Sequence, residues 1–176
     1  DGGAMFGVVP RTLWSRRTRV DERNRIQLAM RCLLVETGSA TVLIDTGLGN
    51  KDDAKFHDIY GVSNAGEPTR LESSLREIGV EPGQVDIVVN THLHFDHAGG
   101  NTVRRPDGTI EPAFPNASYA IQRGEWDYAG LDNERVQASY VADNYMPLEA
   151  AGRIRWLENE RESIVPGVEV VRTPGH

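Results

Sequence analysis

Between residues 26 and 45 the apolar positions fall in two runs broken by Gly38-Ser39-Ala40, a spacing that predicts a hairpin of strands over 26–37 and 41–45. Upstream, Met5-Phe6-Gly7-Val8-Val9-Pro10 and Trp14 are apolar without a sustained period and read as an ordered arm. Residues 47–64 are rich in Gly, Asp and Asn and predict a long loop with one helical turn. From residue 69 the period becomes helical. Leu71, Leu75 and Ile78 share a face, Thr69 and Glu72 have capping-box spacing, and Gly79 ends the element. Val85 to Val89 is a short β-branched run that reads as a buried strand.

Further on, Pro106-Asp107-Gly108-Thr109 marks a turn between two short strands, and a strand follows over 118–121. Helices are predicted over 122–128, 134–141 and 145–151, the last stopped by Gly152, and strands over Ile154–Leu157 and Val168–Val171. No repeat or low-complexity tract interrupts the pattern. The 176 residues fit one domain, and the order of elements predicts α/β or α+β, a sheet layered with helices.

The predicted buried strand delivers the chain to Thr91-His92-Leu93-His94-Phe95-Asp96-His97-Ala98-Gly99-Gly100, which packs three of the five histidines and a carboxylate into six positions. His92 and His94, two apart, would project to one side of an extended strand end, with Asp96 and His97 on the following turn. Such a set can hold two cations close together, each needing further ligands from elsewhere. Its place, at a strand's carboxyl end, is where α/β sheets put their chemistry, and the two glycines let the backbone pass close by. His57 has no such company and reads as an exposed loop residue.

Composition narrows the function. A hydrophobic fraction of 39% and a charged fraction of 26% are ordinary for a globular protein, and a net charge of −7 disfavours nucleic acid as a partner. Arg11, Arg16, Arg17 and Arg19 around Trp14 run against that trend and read as a solvated loop. No apolar run is long enough to span a membrane. Cys32 is the only cysteine, so no internal disulfide forms, and a cytoplasmic setting is expected, though a signal sequence could precede residue 1.

The His-X-His-X-Asp-His run, followed several strands later by Thr173-Pro174-Gly175-His176, closely resembles the metallo-β-lactamase superfamily. The resemblance covers most of the chain and includes Asp45-Thr46-Gly47, which matches the family's Asp-Thr-Gly turn. It implies the N-terminal portion of an αββα sandwich, an incomplete single domain over 1–176. His92, His94 and His176 would hold one metal and Asp96 and His97 a second, while Asp45 supports the site without being a ligand. Complete members continue to a bridging aspartate and a last histidine, and this chain starts at Asp1-Gly2-Gly3 without an initiator methionine, so both ends read as cut from a longer precursor. By itself the piece is expected to bind metal poorly and to be inactive.

Within the superfamily the motif is most similar to the N-acyl homoserine lactonases and the related organophosphate and aryl ester hydrolases. The resemblance therefore implies a hydrolase with two Zn²⁺, or Fe, Mn or Co, that opens a lactone or cleaves an ester through a metal-activated hydroxide. Asp96 would double as the proton shuttle to the leaving group. Phosphotriester or aryl ester hydrolysis and a glyoxalase-type thioesterase are the alternatives, and a non-catalytic metal-binding module is the alternative of another class. The flavin-linked di-iron branch usually carries a glutamate where this chain has His94, which argues against redox chemistry. Met5, Phe6 and Trp14 could wall an apolar pocket, although packing of the arm on a core is the simpler reading. The partner expected is a small ester or lactone; the oligomeric state is left open.

Overall fold

The computed structural model describes residues 2–63, 66–131 and 133–175, without the side chains of Arg135 and Val136. Packing divides them into two compact units, residues 1–29 with 52–65 and residues 30–51 with 66–176.

In the smaller unit the apolar arm is helical, forming α1 (Gly2–Phe6) and α2 (Arg11–Trp14). Phe6 stacks on the buried Trp14 with ring centroids 5.0 Å apart. The long loop contains more helix than expected, α3 (Ala54–Tyr60), because Asp53 caps its start by accepting from Phe56 N–H at 2.8 Å and Gly61 ends it in a left-handed conformation. Arg25 ties the unit together, donating to Asp21 at 2.6 Å and to the Asp58 carbonyl at 2.7 Å. Residues 26–32 do not form the expected strand: Ile26 makes one isolated bridge with Val20, and Leu28 and Met30 are exposed.

In the larger unit five strands form one sheet in the order β1 (Leu33–Glu36), β2 (Thr41–Ile44), β3 (Ile87–Val89), β6 (Ser118–Gln122), β7 (Ile154–Leu157). β1 is antiparallel to β2, as the short four-residue connection over 37–40 requires, and the remaining pairs are parallel. The crossovers carry α4 (Arg70–Glu77), α5 (Phe95–Ala98), α6 (Arg123–Ala129), α7 (Glu134–Gln137) and α8 (Met146–Ala150). A small pair, β4 (Thr102–Arg104) and β5 (Ile110–Pro112), follows α5.

Strand alternation sorts the core into two layers. Leu43, Val88, Tyr119 and Ile121 face the helices, meeting Leu75, Ala129 and Leu148. Val42, Ile87, Val89 and Ala120 face the other way, against a hairpin of β8 (Arg161–Val165) and β9 (Val168–Val171). The sequence reading missed β8, whose charged residues leave too short an apolar run. It also overextended the helix after residue 134, which ends at Gln137. The capping box of α4 forms as expected, with Thr69 N–H donating to Glu72 at 2.9 Å and Glu72 N–H to the Thr69 hydroxyl at 3.2 Å.

Candidate metal centre

The parallel strands all point their carboxyl ends to one edge, and the candidate site side chains come from the loops there. Asp45 follows β2, the segment from Thr91 to His97 follows β3, and Glu125 lies in the first turn of α6 after β6. Leu93 is fully buried, so its side chain anchors the loop in the core between His92 and His94. The two rings meet edge to face with centroids 4.6 Å apart. Asp96 and His97 lie on the short helix α5 rather than on an open turn, and this brings the His97 ring to 4.0 Å from His92.

Asp45 organises these rings. Its φ of +58° is in the left-handed region, which aspartate tolerates better than most residues, and the bend turns its carboxylate under the loop after β3. There it accepts from Thr91 N–H at 2.9 Å, from the Thr91 hydroxyl at 2.9 Å and from His97 Nδ1 at 2.8 Å. A carboxylate can only accept, so His97 carries its proton on Nδ1 and presents the Nε2 lone pair. The Thr91 hydroxyl has one proton, given to Asp45. Its oxygen therefore accepts from His92 Nδ1, 3.1 Å away, and His92 likewise presents Nε2, which is shielded from solvent.

The hydrogen bond to Asp45 raises the His97 pKa above the ordinary imidazole value, opposed by partial burial and helped by the Asp96 charge. Asp96 Oδ2 lies 3.6 Å from His97 Nε2, with 43% of its side chain exposed.

The donor chemistry suits a divalent ion, yet among the described residues no three His, Cys, Asp or Glu side chains already stand in ion-holding geometry. Two imidazoles sharing one tetrahedral zinc place their centroids about 5 Å apart. The His92 and His94 rings, which the resemblance assigns to one ion, stand 4.6 Å apart, close to that spacing. His176, the third imidazole implied by the resemblance, lies outside the described residues. A cleft of about 580 Å³ adjoins His92, with Thr91, Gln122, Glu125, Tyr128 and Arg172 on its walls.

Behind the rings is a polar layer that the spacing of the motif did not disclose. Asn101 and Asn90 exchange two amide hydrogen bonds, of 3.1 Å and 3.0 Å, and the Thr46 hydroxyl lies 3.0 Å from Asn101 Oδ1. All three side chains are buried. The loops approach so closely that a Cβ at Gly99 would lie 2.1 Å from the Leu48 carbonyl oxygen and one at Gly100 2.3 Å from that of Thr46. The glycines were readable as a close passage, but which loop they pass was not.

A family model for the Metallo-beta-lactamase superfamily matches residues 31–176. An N-acyl homoserine lactonase of Bacillus cereus is 30% identical over 161 residues, spanning 87% of this chain and 56% of the relative. The crystal structure of a "probable metal-dependent hydrolase" from Staphylococcus aureus aligns with a TM-score of 0.84 at 33% identity, covering 96% of this chain and 58% of that one. A structure of an N-acyl homoserine lactone hydrolase with the product N-hexanoyl-L-homoserine bound at its catalytic metal center aligns with a TM-score of 0.59 at 30% identity, covering 82% and 53%. The chain thus spans little more than half the length of these relatives. With the layered sheet, the histidine loop at its carboxyl edge and a family match over residues 31–176, the chain belongs to the metallo-beta-lactamase superfamily.

Proposed function

We propose that this protein is a metal-dependent hydrolase that opens lactones, with N-acyl homoserine lactones as its substrate class. The observation that carries the reading is the pair of imidazoles, His92 and His97, whose Nδ1 atoms are engaged by Thr91 and Asp45 so that both offer Nε2 at the sheet's carboxyl edge. His92 and His94, with His176, would hold one cation, and Asp96 and His97 would belong to a second. Zinc suits this imidazole and carboxylate set, and iron, manganese or cobalt use the same donors. Bound divalent ions supply Lewis acidity to the ester carbonyl and lower the pKa of water from about 16 toward 7.

The chain's own residues do the rest. Asp45 and Thr91 hold the donor tautomers, and the core anchor Leu93 fixes the loop. Asp96, half open to solvent, moves the proton: it accepts one from the attacking water and returns it to the ring oxygen as the acyl carbon–oxygen bond breaks, leaving a hydroxy acid. The partner is a small molecule, and the single cysteine suits a cytoplasmic setting.

The test is turnover by the protein as encoded, stripped of metal and reloaded with zinc, on a panel of lactone, aryl ester, phosphotriester and thioester substrates. Lactone opening that disappears on chelation and returns with zinc is the expected result. Asp96→Asn should lower it by about 10²-fold or more, and turnover that survives the substitution with metal content unchanged would remove the proton shuttle. Zinc binding without turnover of any substrate would leave a binding module in place of an enzyme, and preferential cleavage of a phosphotriester or thioester would move the protein to another branch.

A further inference from the structure

Glu125 occupies the third position of α6, where a glutamate ordinarily folds back on the N-cap backbone of its own helix. Here Gln122 caps the helix by accepting from Glu125 N–H at 2.9 Å, and the Glu125 carboxylate leaves for another element. Oε1 accepts from Leu93 N–H at 2.8 Å, the peptide between the two histidines. The same carboxylate takes a hydrogen bond from Tyr140, a buried residue whose ring stands edge-on to His94 with centroids 4.6 Å apart.

We infer that Glu125 is a positioning residue for the His92-Leu93-His94 loop, gripping the backbone between the two imidazoles and bracing the His94 ring through Tyr140. The inference deepens the proposed metal site and rests on it for its functional meaning. The physical case is that a loop beginning three residues past a strand has no ladder to hold it. Leu93 fixes one side through its core side chain, and an acceptor on its N–H fixes the other. A carboxylate is a stronger acceptor than water and cannot diffuse away. The rings on either side then lose the freedom to rotate about the loop, which is the freedom a metal would otherwise have to remove on binding.

The experiment uses the full protein as encoded, with two readouts: hydrogen exchange at the Leu93 amide in the metal-free state, and Co²⁺ affinity with its visible spectrum. Glu125→Ala and Glu125→Asp should both deprotect the Leu93 amide and weaken Co²⁺ binding by about tenfold or more. Glu125→Gln keeps an acceptor and should restore protection and most of the affinity. Tyr140→Phe should keep Leu93 protected while altering the cobalt spectrum through His94. Thr69→Ala, which weakens α4 without touching the loop, is the stability control and should leave Co²⁺ affinity unchanged. A protected Leu93 amide with wild-type affinity in Glu125→Asp would overturn the inference, as would an equal affinity loss in Thr69→Ala. Failure of the unsubstituted protein to bind Co²⁺ would instead overturn the metal reading, and the exchange data would still decide whether Glu125 holds the loop.

Discussion

Thr91 decides more of the site than its size suggests. Its hydroxyl links the Asp45 carboxylate to His92, so Thr91→Val, which keeps the shape, leaves a buried acceptor short of a donor and His92 free to change tautomer. A loss of about 1–3 kcal/mol in urea unfolding is expected, with weaker zinc binding measured by competition. Cys32 is the opposite case, a nucleophile made inert. Burial, and then the Asp45 charge, push its thiol up to about 11. Alkylation by iodoacetamide at pH 8 should be about tenfold or more slower than in the unfolded chain. Because the folded thiol holds its proton more tightly than the unfolded one, it leaves stability unchanged below the ordinary cysteine pKa. Stability falls as pH rises from there through about 11. The sequence marked only the histidines and Asp96 as candidate ligands, with Asp45 as their support through the family resemblance. Thr91, Asn101 and Glu125 are common residue types without a distinctive spacing, and their roles come from partners 46, 11 and 32 positions away.

Local signals located the elements where they were strong. The Thr69 and Glu72 pair started α4 as expected, and Thr69→Ala should destabilise the fold by about 1 kcal/mol in chemical denaturation. The segment over 26–32 failed as a strand despite suitable composition, since a strand needs a partner for its backbone and only Leu33–Glu36 finds one in β2. β8 succeeded against its composition for the converse reason: β9 pairs with it and Ile164 reaches the core. The meeting of the glycine-rich turn after α5 with the loop after β2 is the tightest joint between elements. Gly99→Ala would drive a Cβ into the Leu48 carbonyl, which is backbone and cannot swing aside. The expected cost is about 3 kcal/mol, seen as a lowered denaturation midpoint, with loss of the Thr46 to His97 backbone contact now at 2.7 Å.

In the molecule as a whole the sheet is a platform whose two faces are buried and whose carboxyl edge is left for loops. Because the fold itself brings the His92, His94 and His97 rings together, metal binding should add to folding stability rather than reorganise the fold. Zinc free at a hundred times its dissociation constant should raise unfolding free energy by about 2.7 kcal/mol, and calorimetry should show the melting temperature return to its starting value on adding a chelator. No helix among the described residues is long and apolar enough to cross a membrane. The chain spans about half the length of the aligned N-acyl homoserine lactonase of Bacillus cereus.

The sequence by itself determined the candidate ligands, because imidazoles and a carboxylate at that density are a property of adjacent positions and survive any fold. It also determined the central strands, whose β-branched runs can be satisfied only by burial on both faces. The tertiary structure alone decided which atoms of those histidines face outward, since that depends on Asp45 and Thr91 closing on them from another loop. The grip of Glu125 on the Leu93 amide was likewise beyond the sequence, because a hydrogen bond between distant residues exists only once the sheet has brought their strand ends to the same edge.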